Sequence, residues 1–297
     1  VADFGADGTD AYDDTPSFRR AIEYAGSLGG GTIWVPAGRY VLREALALPE
    51  NVALLGEWSD PDTPGTDLGQ GSVLLVKTGH GSENGTPFLT LGGASCAIGL
   101  TIVYPFQNAA TPVPYPVTIQ AESSQEGNYG FSTVRYCTLV NPYVGIRFGP
   151  AANELGVIEH VYMTPLKQGI LVQYTTDVGR IRDIHIASGY YTRYDASVSG
   201  TVLKDYMKAA VVGMEFQRSD WQQLSDYTAR DVHTGVLIRK QEVMTAALVD
   251  SANVVMSDIR MSNVVTGIDI ASGRSSQVLT KPDITADEAC IRVGAGF

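Results

Sequence analysis

The sequence predicts an all-β protein, a right-handed single-stranded parallel β-helix closed at its N-terminal end by a short capping helix. A tetrapeptide of Gly, apolar, any residue, apolar recurs as GIRF at Gly145, GILV at Gly169, GMEF at Gly213, GVLI at Gly235 and GIDI at Gly267, spaced by 24, 44, 22 and 32 residues. Eleven residues before four of these glycines stands another apolar residue that opens its own strand: Val134, Ile158, Leu224 and Met256. After the first strands the chain shows almost no further helical period and few hairpin signals such as Asn-Gly. Short strands that return every ~22 residues, none able to bury its inner face alone, are what a parallel solenoid requires.

Each element can be justified in order. Asp14 or Thr15 can cap a helix that carries Pro16 in its first turn and Phe18, Ile22 and Ala25 on one face, and Gly29-Gly30-Gly31 ends it. Thr32-Ile33-Trp34-Val35 and Tyr40-Val41-Leu42 then read as strands separated by a Pro-Ala-Gly turn. Ile181, in RIRDIHI, opens a fifth coil, but its Gly213 arrives 32 residues later instead of 11. The surplus is a 21-residue excursion, GYYTRYDASVSGTVLKDYMKA. A loop of that length in a solenoid carries function. PFQNAATPVPYP, residues 105–116, is a candidate second wall.

No Pro/Ser-rich spacer, charge block or low-complexity tract interrupts the chain, so one domain is expected over 1–297 with a cap over about 1–45. The chain opens at Val1, and its last segment, RVGAGF, reads as a coil left open, as in a chain trimmed from a longer one. A formal charge of −11 argues against nucleic acid, whose phosphates need a basic face. No apolar run approaches the ~18 residues of a membrane span. Cys96, Cys137 and Cys290 are odd in number and far apart, so neither a disulfide framework nor a zinc site is expected.

VADFGADGTDAYDDT, the helix after it, GGGTIWVPAGRY and NVALLGE together resemble the N-terminal signature of the pectate-lyase-like superfamily of right-handed β-helices. The signature covers about the first 57 residues, and the repeat extends the likeness over most of the chain. TPLKQGILVQYTTDVGRIRDIHI followed by GMEFQRSDW is similar to bacterial proteins related to polygalacturonase-type glycoside hydrolases. The resemblance implies action on a polysaccharide and does not choose among hydrolases, lyases, epimerases and tailspikes. Against polygalacturonases proper, the Asn-Thr-Asp motif is missing and Gly79-His80-Gly81 stands too early.

Aligned by their opening residues, the coils put Glu154, Asp177 and Asp220 four positions before Ile158, Ile181 and Leu224. Parallel strands lie about 4.8 Å apart, so this ladder could supply the ~5–9.5 Å carboxyl separations of glycosidases. Asp177 and Asp220 are therefore expected as the catalytic pair, with Glu154 auxiliary and Arg180 and Arg218 tuning charge. Trp221, Tyr174, Tyr190, Tyr191 and Arg193 are expected to hold sugar rings. A second ladder, Tyr136, His160, Asp183, Asp226 and Asp258, runs through nearly every coil, and that regularity reads as architecture. Asp231 and His233 read as a surface pair. The expected function is a glycoside hydrolase acting on a neutral or weakly charged polysaccharide, secreted or held at the cell surface and needing no cofactor. The alternatives are a Ca²⁺-assisted lyase on a uronate polymer and a non-catalytic, trimeric tailspike-like solenoid.

Overall fold

The structure, a computed structural model, describes residues 1–121, 130–241, 252–271 and 276–294. Its strands pair in parallel throughout and wind as a right-handed β-helix with three sheets per coil. The first sheet holds Val52–Gly56 and the opening halves of Thr133–Leu139, Val157–Met163, Arg180–Ile186 and Gln222–Arg230. The second sheet holds the closing halves of those long strands, below Gly38–Leu42 and Ser72–Val76. The third holds Val144–Phe148, Gln168–Val172, Val212–Phe216 and Thr234–Ile238.

The coil-opening residues stack as the spacing requires. Val134 pairs with Ile158, Ile158 with Ile181, Ile181 with Leu224 and Leu224 with Met256, and all five are buried in one continuous core. The repeated glycine has an equally local cause. A Cβ on Gly145 would stand 2.4 Å from the carbonyl oxygen of Gly169, and one on Gly169 would stand 2.3 Å from that of Gly213. Each glycine thus lets the next coil approach, and any side chain would push the coils apart.

Helix α1, Thr15–Ser27, buries Phe18, Ala21, Ile22 and Ala25 over the end of the core. Asp14 stands at its cap position, yet its carboxylate accepts from the backbone of Asp7 and Val41, at 2.8 and 3.0 Å, tying the opening segment to the first coil. The excursion departs from the helix-poor expectation by forming α2, Gly189–Tyr194, and α3, Gly200–Ala210. A chain that leaves the sheet loses its ladder hydrogen bonds, and short helices restore them internally. Ser199 caps α3 by accepting from the Val202 backbone, and Leu203 and Met207 seat it on the core. A second insertion, residues 57–71, leaves the corner between Val52–Gly56 and Ser72–Val76. No helix among the described residues is long and apolar enough to cross a membrane.

Candidate functional site

The expected carboxylate ladder lies at the corner that leads from the third sheet to the first. There Asn153 bridges Thr175, and Thr175 bridges Ser219. Ile158 stands five positions after Asn153 and Leu224 five after Ser219, but Ile181 stands six after Thr175. The middle coil therefore presents two residues, Thr176 and Asp177, where its neighbours present one. The Thr176 hydroxyl takes the contact and donates to the Glu154 carboxylate. Asp177 turns into solvent and accepts from the backbone of Val178 at 2.7 Å. The three carboxylates do not stack as expected, and one extra residue in a turn is the reason.

The neighbours of these acids are local. Asp220 pairs with Arg218 at 3.0 Å, and Arg218 also donates to the carbonyl of Thr175 and lies 5.8 Å from the centroid of the Tyr174 ring. Arg180 opens its strand in solvent, and the Trp221 side chain is 59% exposed at a positive φ of 53°. Tyr190 and Arg193 belong elsewhere, because the excursion leaves from the end of the second sheet. Tyr191 points to the opposite side of α2 from Tyr190, where its hydroxyl donates to the carbonyl of Gln107 at 3.1 Å. The 105–116 segment thus walls a separate cavity of about 330 Å³, lined by Tyr191, Asp195 and Asn108 among others.

The denser grouping of chemical side chains lies on the second sheet. Tyr136, His160, Asp183, Asp226 and Asp258 hold φ between 50° and 54°, one per coil, and each turns the chain from the first sheet to the second. Their ladder is architecture, as its regularity implied, and Asp and His are among the residues that tolerate this conformation best. Two residues further along, Thr138, Tyr162, His185 and Thr228 stack in register on the outer surface. The two rows meet at Asp183, whose carboxylate contacts His160 Nδ1 at 2.5 Å and His185 Nε2 at 2.9 Å. Burial pushes the Asp183 carboxyl upward, but its hydrogen bonds to His185 and His160 outweigh that and hold it below the usual carboxylate range.

Loop 57–71 and α2 close over these rows. Leu68, Tyr162 and Tyr190 form a small apolar cluster with Trp58 and Ala187 beside it. Trp58 donates its indole N–H to Thr138 Oγ1 at 2.8 Å, with ring centroids 5.5 Å from Tyr136 and 5.8 Å from Tyr162. Tyr136 stacks on His160, and Tyr162 on His185, each with centroids 4.6 Å apart. Asp62 faces His185 Nδ1 at 3.0 Å, accepts from the Tyr190 hydroxyl at 3.3 Å and pairs with Arg193 at 3.6 Å. Beside them opens a cavity of about 320 Å³, lined by Asp62, His185, Tyr190, Arg193, Thr228 and Arg230 among others. Arg230 is exposed and has no carboxylate partner among the described residues.

This arrangement separates proton acceptors from donors. Asp183 engages Nδ1 of His160 and leaves Nε2 outside that contact. His185 faces a carboxylate from each ring nitrogen, and both nitrogens donate only in the imidazolium form. Burial, reinforced by Asp183, Asp60 and Asp62, pushes the Tyr162 phenol up, and burial with Asp62 does the same for Tyr190. Both phenols therefore keep their protons. Among the described residues no group of three or more His, Cys, Asp or Glu side chains is arranged to hold a metal ion.

Of this candidate group, the sequence reading had named Tyr190 and Arg193 and had read His160 and Asp183 as architecture. It missed Asp62, Tyr162, His185 and Arg230. His185 and Tyr162 could have been found by carrying the coil alignment two residues further. Asp62 carries no such signal, because its partner lies over a hundred positions away.

Comparison with known proteins agrees with the architecture. The mannuronan C5-epimerase AlgE3 of Azotobacter vinelandii is 41% identical over 63 residues, which is 19% of this chain and only 3% of that protein. The N-terminal fragment of bacteriophage phi29 gene product 12 superposes with a TM-score of 0.51 at 15% identity, over 95% of this chain and 46% of that one. A hyperthermoactive exopolygalacturonase from Thermotoga maritima matches 95% of this chain and 90% of its own with a TM-score of 0.39 at 12% identity. The family model described as rhamnogalacturonase A/epimerase, pectate lyase-like, matches residues 1–189. With the parallel coils and the N-terminal cap already described, that match makes the chain a member of the rhamnogalacturonase A/epimerase, pectate lyase-like family of β-helices.

Proposed function

We propose that the protein processes a uronate-containing polysaccharide by taking the proton next to the sugar carboxylate, in the groove between loop 57–71 and α2. The observation that carries this reading is the pair of imidazoles around Asp183, of which His185 lines a cavity shared with Arg230, a guanidinium with no carboxylate partner among the described residues. His160, through Nε2, is the base, and the charge that develops on the sugar carboxylate is met by Arg230. His185 as imidazolium and the protonated Tyr190 are the donors that complete the step. Proton removal then leads either to loss of the neighbouring glycosidic oxygen, a β-elimination, or to reprotonation from the other face, an epimerisation. Trp58 and Tyr136 give the chain an aromatic surface. Arg230 takes the part that Ca²⁺ was expected to play in a lyase. A polymer substrate meets its enzyme outside the cytoplasm, so secretion or surface display belongs to the same proposal.

Hydrolysis is the second reading, and one observation favours it. The His185 ring stands between two carboxylates, 2.9 Å from Asp183 and 3.0 Å from Asp62, which puts them at most roughly 8 Å apart, a span that admits the ~6.5–9.5 Å of inverting glycosidases. The hydrolytic pair would then be Asp62 and Asp183, because the expected pair, Asp177 and Asp220 with Glu154, lacks the register that supported it. Incubation with a panel of uronate polymers in D₂O separates the readings. Ultraviolet absorbance from unsaturated ends, or deuterium at the reacting carbon, supports proton abstraction. New reducing ends with neither signal overturn it in favour of hydrolysis.

A further inference from the structure

We propose that Asp62 is a positioning residue for the acid/base chemistry of His185, delivered from loop 57–71, an insertion in an early coil. The inference rests on the proposed function in that His185 is taken as a proton donor to the glycan. It adds that the donor state of His185 is set by a residue outside its own coil.

The geometry carries this directly. On its own strand, His185 has one carboxylate partner, Asp183, at Nε2. With that partner alone, a neutral imidazole would donate once and present Nδ1 as an acceptor. Asp62 Oδ2, an ion-pair contact 3.0 Å from Nδ1, reverses this, because a second carboxylate beside the ring favours a proton on that nitrogen as well. The remaining groups that face His185 are Tyr162, stacked against it from the preceding coil, Tyr190 and Arg193 on α2, and Arg230 on the next strand. None of these is a carboxylate, and Asp60, another acid of the same loop, stands against the Tyr162 hydroxyl.

Asp62 is held for this task from several sides. Arg193 donates to the carbonyl of Pro61 at 2.5 Å and pairs with the Asp62 carboxylate, while the Tyr190 hydroxyl donates to Asp62 Oδ2. Leu68, buried against Tyr162 and Tyr190, anchors the same loop. Tyr194 ties α2 to an early coil by a 2.8 Å hydrogen bond from Arg39. The loop is thereby fixed at the point where it meets His185.

The test uses the full chain and two independent readouts. In ¹⁵N–¹H spectra of the imidazoles at neutral pH, with His185→Gln used to assign the signals, wild type should show both His185 nitrogens protonated. Asp62→Asn retains the shape and a hydrogen-bonding side chain but removes the charge, and one His185 nitrogen should lose its proton. On an active uronate polymer the same variant should lose kcat by about 10- to 100-fold with KM nearly unchanged. Asp62→Glu should restore most of the activity. Two protonated nitrogens in Asp62→Asn, with kcat within about twofold of wild type, overturn the proposal. If wild type turns over no uronate polymer, the proposed function fails, while the imidazole spectra still decide the role of Asp62. Should Asp62→Asn fold poorly, Arg193→Gln, which frees the Asp62 carboxylate, must move the same spectra.

Discussion

Two regions of this solenoid carry similar side chains and differ in what surrounds them. At the corner of Glu154, Asp177 and Asp220, each acid is satisfied by a residue in its own turn or in a neighbouring coil, and water reaches the group. On the second sheet, Asp183 and His185 are covered by loop 57–71 and α2, which supply Asp62, Tyr190 and Arg193. Coil stacking alone yields rows of polar residues. A candidate site forms where an insertion roofs such a row and cuts its exposure, to 26% at His185 and 27% at Asp183 against 40% at Asp220, because interactions between charged groups strengthen as the local dielectric falls.

This contrast can be broken by experiment, beginning where the effect is largest. His185→Gln should reduce kcat on an active glycan by about 10²- to 10⁴-fold, whereas Asp177→Asn and Asp220→Asn should each stay within about threefold. Equal losses at both places would remove the distinction. Next, Leu68→Ala should cost about 2 kcal/mol in urea unfolding and lower activity with it, because the small cluster under the loop loses its aliphatic member. Unchanged activity would detach the loop from the site.

A pH experiment sharpens the same comparison. The Asp183 carboxyl is depressed in the folded protein, so it contributes stability above its unfolded value of about 4, and that contribution disappears as pH falls through the folded value. The stability difference between wild type and Asp183→Asn should therefore be present at neutral pH and close below about pH 4. A gap that persists undiminished in strong acid would mean that packing accounts for it. The smallest effect belongs to the corner. Trp221→Ala should change stability by no more than about 0.5 kcal/mol in the same urea unfolding, since the indole projects into solvent.

The coil spacing was legible because it is imposed by sterics that act at one distance. Val134, Ile158, Ile181, Leu224 and Met256 had to be apolar to fill a continuous core, and Gly145 and Gly169 had to lack a side chain beneath the next coil's carbonyl. The same alignment failed at Asp177, three positions before the strand Arg180–Ile186, because turns carry no ladder and tolerate an added residue. The positions of His160 and Asp183 as bend residues were readable, but which groups fold over a bend residue was not.

By itself, then, the sequence determined the solenoid, its core register, the capping helix and the signature of the family, since each depends on contacts one coil apart or closer. The tertiary structure alone decided which acids meet which bases. Asp62 reaches His185 across 123 positions of the chain, through loops whose paths depend on packing of Leu68, Tyr162 and Tyr190. Periodicity transmits information only along the ladder, and this site is made where two excursions leave it and come back.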